Sequence, residues 1–377
     1  MTIPINEFQS RIKLIQNKMQ EKQLDFLVVY SWKRGQVKYL AGYHPNYVAN
    51  TATILLPQSG DPILFIRFPF DLERAARQSW IKNIKASGDM NMMVTDIADG
   101  IKKFEGSIHR IGVVGGDFVM DEIPFSMMSR LQHLLPDCLF SDERKILMDM
   151  RRVKSRTEIE KIKKSAALAD QGLKTAKAII SDGKTELQVV AEIEAELRRM
   201  GADNHLVVIA APGHRKLIGP PTERIIEPQE DIIIEIAVEA GGYWSQVAAV
   251  LFSTPPNEAQ KKISAMVYDA YQHISTGLKI GLTCEQVAKN AIQYFDQLGY
   301  KDYIEQDFGH GIGLDLPEPP KIEIEDQTLL SDGMVIVVHP AIRVPGVGGA
   351  FIGGTVLVEN QQAHQLHDLS LIMQETK

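Results

Sequence analysis

Two apolar runs in the second half of the chain constrain its fold more than any other feature. They cover residues 232–238 and 243–252, and the segment Glu239-Ala240-Gly241-Gly242 separates them. Apolar runs on both sides of a short glycine-containing turn predict adjacent antiparallel strands in a buried sheet. Further strands are predicted at 335–339 and 355–358, and helices at 157–180, 186–200, 258–278 and 284–298. Because helices and hairpins occur in runs rather than in strict alternation, this part of the chain is predicted to be an α+β domain.

The first part of the chain predicts a smaller α/β domain with a mixed sheet. Its apolar periodicity and turn residues indicate a helix at 5–23, buried strands at 26–30 and 110–114, a hairpin at 51–66 and a helix at 71–78. A segment dense in Lys, Arg and Glu follows at 142–164, where Thr157 is expected to cap a long helix. Since single hydrophobic cores stop growing at ~250–300 residues, two domains are expected, at 1–147 and 148–377.

The composition excludes several classes of partner. The chain has 41 Lys and Arg against 48 Asp and Glu, a net charge of −7, and no basic block, which argues against nucleic acid and anionic membranes. Its two cysteines, Cys138 and Cys284, have neither metal-ligand nor redox-motif spacing, which favours a reducing compartment. No apolar signal core and no run of ~18 apolar residues occurs. A cytoplasmic globular protein is therefore expected.

Four glycine-, histidine- and acid-containing segments of the second half carry the chemical signal. They are 235–246 (Glu-Ile-Ala-Val-Glu-Ala-Gly-Gly-Tyr-Trp-Ser-Gln), 308–319 (Phe-Gly-His-Gly-Ile-Gly-Leu-Asp-Leu-Pro-Glu-Pro), 332–340 (Asp-Gly-Met-Val-Ile-Val-Val-His-Pro) and 348–355 (Gly-Gly-Ala-Phe-Ile-Gly-Gly-Thr). In this order the chain resembles the creatinase, prolidase and aminopeptidase P family, along nearly its whole length. The resemblance implies a pita-bread C-terminal domain behind a smaller creatinase N-terminal-like domain, and a homodimer whose first domain, around Trp32, Lys33 and Arg34, covers the partner's pocket.

The resemblance also implies where a metal centre would be. In the metallopeptidases of that family two Asp, one His and two Glu side chains hold two metal ions, and the excess of negative charge lets two dications share a hydroxide. The matching positions are Glu235, Gln246, His310, His339 and Gly353. Because only one carboxylate remains among them, no metal ligands are assigned and no cofactor is expected.

A second departure concerns the side chain that acts on the scissile bond. The family has a His shortly before a Pro-Thr-x-Arg stretch; that stretch is present at 221–224, but Ile218 occupies the His position. Creatinase, which works without metal, needs the same His and carboxylates at the positions of Ala248 and His339. The resemblance therefore predicts neither a standard Xaa-Pro dipeptidase nor a creatinase in detail.

The remaining polar residues allow a different site. His310 and His339 are expected to form a neutral-pH acid and base couple, with Glu235 as a buried base or orienting carboxylate. A strand-edge Glu that reaches solvent is the alternative for Glu235. The expected binding residues are Gln246 for hydrogen bonding, the His214 and Arg215 loop for a carboxylate, and Glu318 for a substrate amine or His310.

Three functions are open from these residues. The first is a metal-independent hydrolase of a C–N bond in a small molecule that bears an amide, amidine or carboxylate group. The second is a non-catalytic relative that binds a small molecule or peptide in the same pocket. The third keeps a single metal ion on His310, His339 and Glu235, since two His and one carboxylate suit Fe(II), Zn or Mn.

Overall fold

The structure is a computed structural model that describes residues 3–32, 35–45, 51–104, 109–115, 123–181, 183–211, 219–305 and 307–372. The chain divides into two compact units, Thr2–Arg151 and Arg152–Lys377. The division lies four residues after the boundary expected from the sequence. No helix in the described ranges is long and apolar enough to cross a membrane.

The first unit is built on a mixed six-stranded sheet. Its strands are β1 (Phe26–Ser31), β2 (Ala52–Pro57), β3 (Ile63–Ile66), β4 (Ile84–Ala86), β5 (Arg110–Val114) and β6 (Leu139–Asp142), in the order β4-β3-β2-β1-β5-β6. The β1–β2 and β2–β3 pairs are antiparallel and the others are parallel. Its helices are α1 (Ile5–Glu21), α2 (Gln36–Ala41), α3 (Leu72–Gln78), α4 (Met90–Lys102), α5 (Phe125–Leu134) and α6 (Arg144–Arg152), the last ending at the unit boundary. The predicted α/β character is confirmed.

The second unit has helices and antiparallel strands in runs, as an α+β domain does. Its helices are α7 (Arg156–Ile179), α8 (Glu186–Arg199), α9 (Glu258–Thr276), α10 (Cys284–Gln297) and α11 (Leu369–Ile372). The main sheet has strands β7 (Asn204–Ala210), β8 (Asp231–Ala240), β9 (Tyr243–Phe252), β10 (Gly309–Gly311), β11 (Glu318–Lys321), β12 (Met334–Val338), β15 (Gly353–Glu359) and β16 (Gln362–Gln365). A separate pair is formed by β13 (Ala341–Val344) and β14 (Gly348–Phe351).

The order of the main sheet is β11-β10-β12-β15-β9-β8-β7, and β16 also pairs with β15. The predicted hairpin is the β8–β9 pair, in which β8 extends beyond the predicted 232–238 to Asp231 and Ala240. Buried aliphatic side chains of α7 to α10 pack against this sheet and form the core of the unit.

The start of α7 differs from the sequence expectation. Thr157 is inside the helix, and Ser155 is the residue that caps it. The Ser155 hydroxyl accepts the N–H of Glu158, and the Glu158 carboxylate accepts the N–H of Ser155. This reciprocal pair satisfies two N–H groups that would otherwise lack partners at the helix end.

Candidate functional site

Glu235 and Gln246 form a hydrogen-bonded pair on adjacent strands. Strand register places Glu235 of β8 opposite Ala248 of β9, and Gln246 faces the same side because it is two residues from Ala248. The Gln246 amide nitrogen, Nε2, donates a hydrogen bond to Glu235 Oε1. Since β8 lies between β7 and β9, Glu235 is not on an edge strand, although its side chain is partly exposed.

The pKa of Glu235 is raised to about 7. Burial of the carboxylate is the main cause, and the hydrogen bond from Gln246 opposes it only in part. A carboxyl group whose pKa lies near neutral pH can both give and accept a proton under physiological conditions.

His310 and His339 lie against each other where β10 pairs with β12. His310 of β10 pairs with Val337 of β12, and His339 directly follows β12. Their ring centroids are 5.1 Å apart with an interplanar angle of 57°. His310 Nδ1 is 2.8 Å from the carbonyl oxygen of Gly311. A carbonyl only accepts, so His310 Nδ1 carries the hydrogen and Nε2 keeps its lone pair.

Both imidazoles have lowered pKa values, of about 4. Burial is the main cause for each, and the neighbouring His339 lowers the pKa of His310 further. The two rings are therefore neutral at pH 7, and their role as an acid and base couple stays a prediction. In the described part of the site the group that titrates near neutrality is the Glu235 carboxyl.

Asp307 was missed by the sequence reasoning. Its Oδ1 atom is 3.8 Å from His339 Nε2, and this oxygen is buried without a hydrogen-bond partner. Lys321 Nζ is 4.0 Å from the other carboxylate oxygen. In the sequence, Asp307 is an acidic residue three positions before His310. An acidic residue at such a distance is common on protein surfaces and does not by itself indicate a site.

The structure leaves no room for a side chain at residue 353. Gly353 pairs with Ala248 of β9, one strand away from Glu235. A Cβ atom on Gly353 would lie 2.2 Å from the Val338 carbonyl oxygen and 2.7 Å from the His339 Cβ. His339 therefore packs closely against Gly353, and a carboxylate side chain could not be added at 353 without moving the backbone.

Glu318, the expected ligand for a substrate amine, is held in a buried ion pair. Its Oε2 atom is 3.0 Å from Lys154 Nζ, with side-chain exposures of 4% and 2%. Its Oε1 atom accepts the N–H of Asp315 at 3.0 Å. Both oxygens already have donors from the protein, which gives Glu318 a structural role; contact with substrate stays a prediction.

Several expected positions lie outside the described residues, namely Lys33, Arg34, His214, Arg215 and Ile218. Trp32 follows β1 in the first unit and is 41% exposed. These roles stay predictions.

The surviving Pro-Thr-x-Arg stretch is anchored to the start of α8. Arg224 Nε donates to Glu186 Oε1 at 3.0 Å, and Arg224 Nη1 donates to Glu230 at 2.7 Å. The Thr222 hydroxyl donates to the other Glu186 oxygen at 2.8 Å. These bonds give the retained motif a structural function in this chain.

The five positions do not fit a dinuclear metal centre. They supply one carboxylate, already bonded by the Gln246 amide, two imidazoles, and at 353 no side chain. Within the described ranges, no group of three or more His, Cys, Asp or Glu side chains could hold a metal ion. The alternative of a single ion on His310, His339 and Glu235 therefore has no support in this arrangement.

Comparison with known proteins identifies the class. The model of metallopeptidase family M24 matches residues 160–360, and that of the creatinase/prolidase N-terminal domain matches 11–153. A Xaa-Pro dipeptidase of Pyrococcus furiosus is 32% identical over 224 residues, which span 59% of this chain and 64% of the dipeptidase, less than two thirds of its length.

Solved structures agree over the whole fold. The prolidase of Pyrococcus horikoshii is 26% identical with a TM-score of 0.85, covering 95% of this chain and 98% of that one. A Xaa-Pro dipeptidase from Bacillus anthracis has a TM-score of 0.84 at 21% identity, covering 95% and 97%, and this likeness shows the fold alone.

The fold and the two family models thus define a two-domain protein with a pita-bread C-terminal domain. The chain belongs to metallopeptidase family M24 and is prolidase-like.

Proposed function

We propose that this chain is a metal-independent hydrolase of a C–N bond in a small molecule bearing an amide, amidine or carboxylate group. The proposal rests chiefly on one observation, which is that the Glu235 carboxyl and the His310 and His339 rings differ in protonation behaviour. Glu235 has a pKa of about 7, whereas His310 and His339 have pKa values of about 4. Groups whose environments separate their pKa values in this way are suited to opposite acid and base roles. The Xaa-Pro dipeptidase named among the relatives also acts on a C–N bond.

The proposed roles follow from the hydrogen positions. The Nε2 lone pair of His310 takes a proton from the attacking water, and His339 assists this transfer from 5.1 Å away. Protonated Glu235 gives its proton to the leaving nitrogen as the C–N bond breaks and the water oxygen bonds to carbon. Gln246 holds Glu235 and offers hydrogen bonds to the substrate. His214 and Arg215 bind the polar end of the substrate.

The first experiment measures metal and dipeptide cleavage on the same preparation. Protein purified without added metal should contain far less than two equivalents of Mn, Co or Zn per chain. Xaa-Pro dipeptides should release proline no faster than background. Close to two equivalents of metal, lost together with proline release on chelation, would overturn the proposal and restore a standard dipeptidase.

The second experiment separates catalysis from binding. A thermal-shift screen of small amides, amidines and carboxylates provides a ligand, which is then tested for turnover. His310→Ala and His339→Ala should each lower turnover ~10²–10⁴-fold, and the double variant should lose little more, because residues that act as a unit are not additive. If the wild type binds the ligand without turnover and both variants lose binding, the non-catalytic binding protein is the better account.

We also propose a homodimer in a cytoplasmic setting. The resemblance to dimeric relatives supports the first part, and the cysteine usage supports the second. The dimer should bury more than the ~1,200–2,000 Å² of a standard interface. Light scattering that gives a monomer at micromolar concentration would count against it.

A further inference from the structure

A buried chain of polar groups lies behind the strand that carries Gln246. Strand β15 pairs with β9 at Gly353 and Gly354, but from Val356 onward it pairs with β16 instead. At this fork, the backbone N–H and carbonyl of Gln246 have no strand partner on the β15 side. The Thr355 hydroxyl serves both groups, accepting the N–H at 3.0 Å and donating to the carbonyl at 3.0 Å.

The chain continues from Thr355 to the helix α7. The Ser245 hydroxyl is 2.8 Å from Thr355 Oγ1 and 3.2 Å from His367 Nε2. His367 Nδ1 is 2.7 Å from Asp170 Oδ1, and the second oxygen of Asp170 accepts the N–H of Asp368 at 2.9 Å. The side chain of His367 is fully buried, and Ser245 and Thr355 are both 0% exposed.

Counting hydrogens along the chain determines its direction. Thr355 uses its one hydrogen on the Gln246 carbonyl, so its contact with Ser245 needs the hydrogen of Ser245. Ser245 then has no hydrogen left for His367, and His367 Nε2 must donate to Ser245. The Asp170 carboxylate needs a hydrogen from His367 Nδ1. These contacts are all satisfied only if both ring nitrogens of His367 carry hydrogen, because the Asp170 carboxylate only accepts.

We infer that His367, doubly protonated against Asp170, begins a directional hydrogen-bond chain through Ser245 and Thr355 that positions Gln246. These four are positioning residues: Thr355 hydrogen-bonds the backbone of Gln246, and the other three act through Thr355. Gly354 permits the arrangement: a Cβ there would lie 2.9 Å from His367 Cδ2 and 3.1 Å from Tyr271 Oη. Through Gln246 the chain also holds the Glu235 carboxyl. Its effect on turnover rests on the proposed function, whereas the existence of the hydrogen-bond chain does not.

The protonation of His367 is tested by ¹⁵N NMR on full-length protein with labelled histidine rings at pH 7.5. The His367 signal is assigned by its loss in His367→Gln. Two protonated ring nitrogens are expected, and the Asp170→Asn variant should lose the Nε2 hydrogen. An unprotonated Nε2 in the wild type would overturn the inference, whatever the protein catalyses.

The positioning role is tested on the side-chain amide signal of Gln246, assigned by its loss in Gln246→Leu. Thr355→Val should shift or broaden this signal, and Thr355→Ser, which keeps the hydroxyl, should restore it. Ser245→Ala interrupts the chain without touching the Gln246 backbone bonds and serves if Thr355→Val does not fold. Thr175→Val is the matched control, because its hydroxyl bonds only within α7, to the carbonyl of Gln171.

An unchanged Gln246 signal in both Thr355→Val and Ser245→Ala would overturn the positioning role. Where a substrate has been found, Thr355→Val should also lower kcat ~10²-fold, the effect of a displacement of about 1 Å in a reacting site. A displaced Gln246 signal with unchanged kcat would leave the chain in place and count against the catalytic role proposed for the Glu235 and Gln246 pair.

Discussion

Two carboxylates of the second unit, Glu318 and Glu235, have opposite surroundings. Glu318 is paired with the cation of Lys154 and also accepts a backbone N–H. Glu235 has the neutral amide of Gln246 as its side-chain partner, and its pKa is raised to about 7. A buried charge that is paired and hydrogen-bonded belongs to the framework, since removing one partner leaves the other uncompensated.

A buried carboxyl with a strongly perturbed pKa is instead a candidate for chemistry. The difference teaches that Glu318 is held by a cation of the protein itself. The Glu235 carboxyl, at a position that the family resemblance assigns to a metal ligand, is the candidate for chemistry.

The largest expected effect on stability is at the Lys154–Glu318 ion pair. Lys154→Met should lower the free energy of unfolding by ~3–5 kcal/mol, because it leaves Glu318 buried without its cation. Urea unfolding measures this. The matched control is Lys163→Met, which removes an exposed pair with Glu160 and should cost at most ~1 kcal/mol. Equal losses in the two variants would show that the Lys154 pair is no stronger than a surface one.

The next effect is on the Glu235 side and has the opposite sign. The pKa of Glu235 is about 7 when folded, above its ordinary value of 4.5. Below pH 4.5 the carboxyl is protonated in the folded and the unfolded state, so it does not change the free energy of unfolding. Between pH 4.5 and 7 it is ionised only in the unfolded state, and the free energy of unfolding falls as pH rises. Above pH 7 the loss is complete, on the order of 3 kcal/mol.

Glu235→Gln should therefore leave stability unchanged at pH 4.5 and raise it at pH 8. Urea unfolding at both pH values measures the change, with the exposed Glu160→Gln as control. If Glu235→Gln destabilises the protein at pH 8, the carboxylate has a cationic partner after all, and the contrast with Glu318 fails.

A smaller effect is expected at the glycine that closes the former metal position. Gly353→Ala should cost ~1–3 kcal/mol, the range for overpacking, because its Cβ meets Val338 and His339. Thermal unfolding measures this loss of stability. Gly219→Ala serves as control, because the Cβ has open space there. Gly201→Ala is a poor control, because the backbone of Gly201 has a positive φ. A neutral Gly353→Ala would mean that the strand can move aside for a side chain.

The smallest effect sharpens the Lys154 result. Ser155→Ala removes the cap of α7 next to Lys154 and should cost ~1 kcal/mol, whereas Thr157→Ala inside the first turn should cost much less. Circular dichroism during urea unfolding provides the comparison. A loss as large as that of Lys154→Met would assign the framework role to the helix start rather than to the ion pair.

Local patterns predicted the elements of this protein well. The apolar runs gave the β8–β9 hairpin, and the four segments around residues 235, 310, 339 and 353 gave the family. The helix start at Ser155 was misplaced by two residues, because Ser155 and Thr157 are both good capping residues and only the reciprocal bond with Glu158 distinguishes them. The lowered pKa values of the two histidines could not be predicted, because a sequence does not reveal how strongly the fold removes water from a ring.

The sequence by itself determined which donors are present at the five family positions, since side-chain chemistry does not depend on the fold. Tertiary structure decided what those donors do. Lys154 reaches Glu318 across 164 residues of sequence, while Glu235 lies on an interior strand with an amide as its partner. The physical reason is that the free energy of a buried charge depends on the dielectric and the partners around it, and both are set by contacts between residues far apart in the chain.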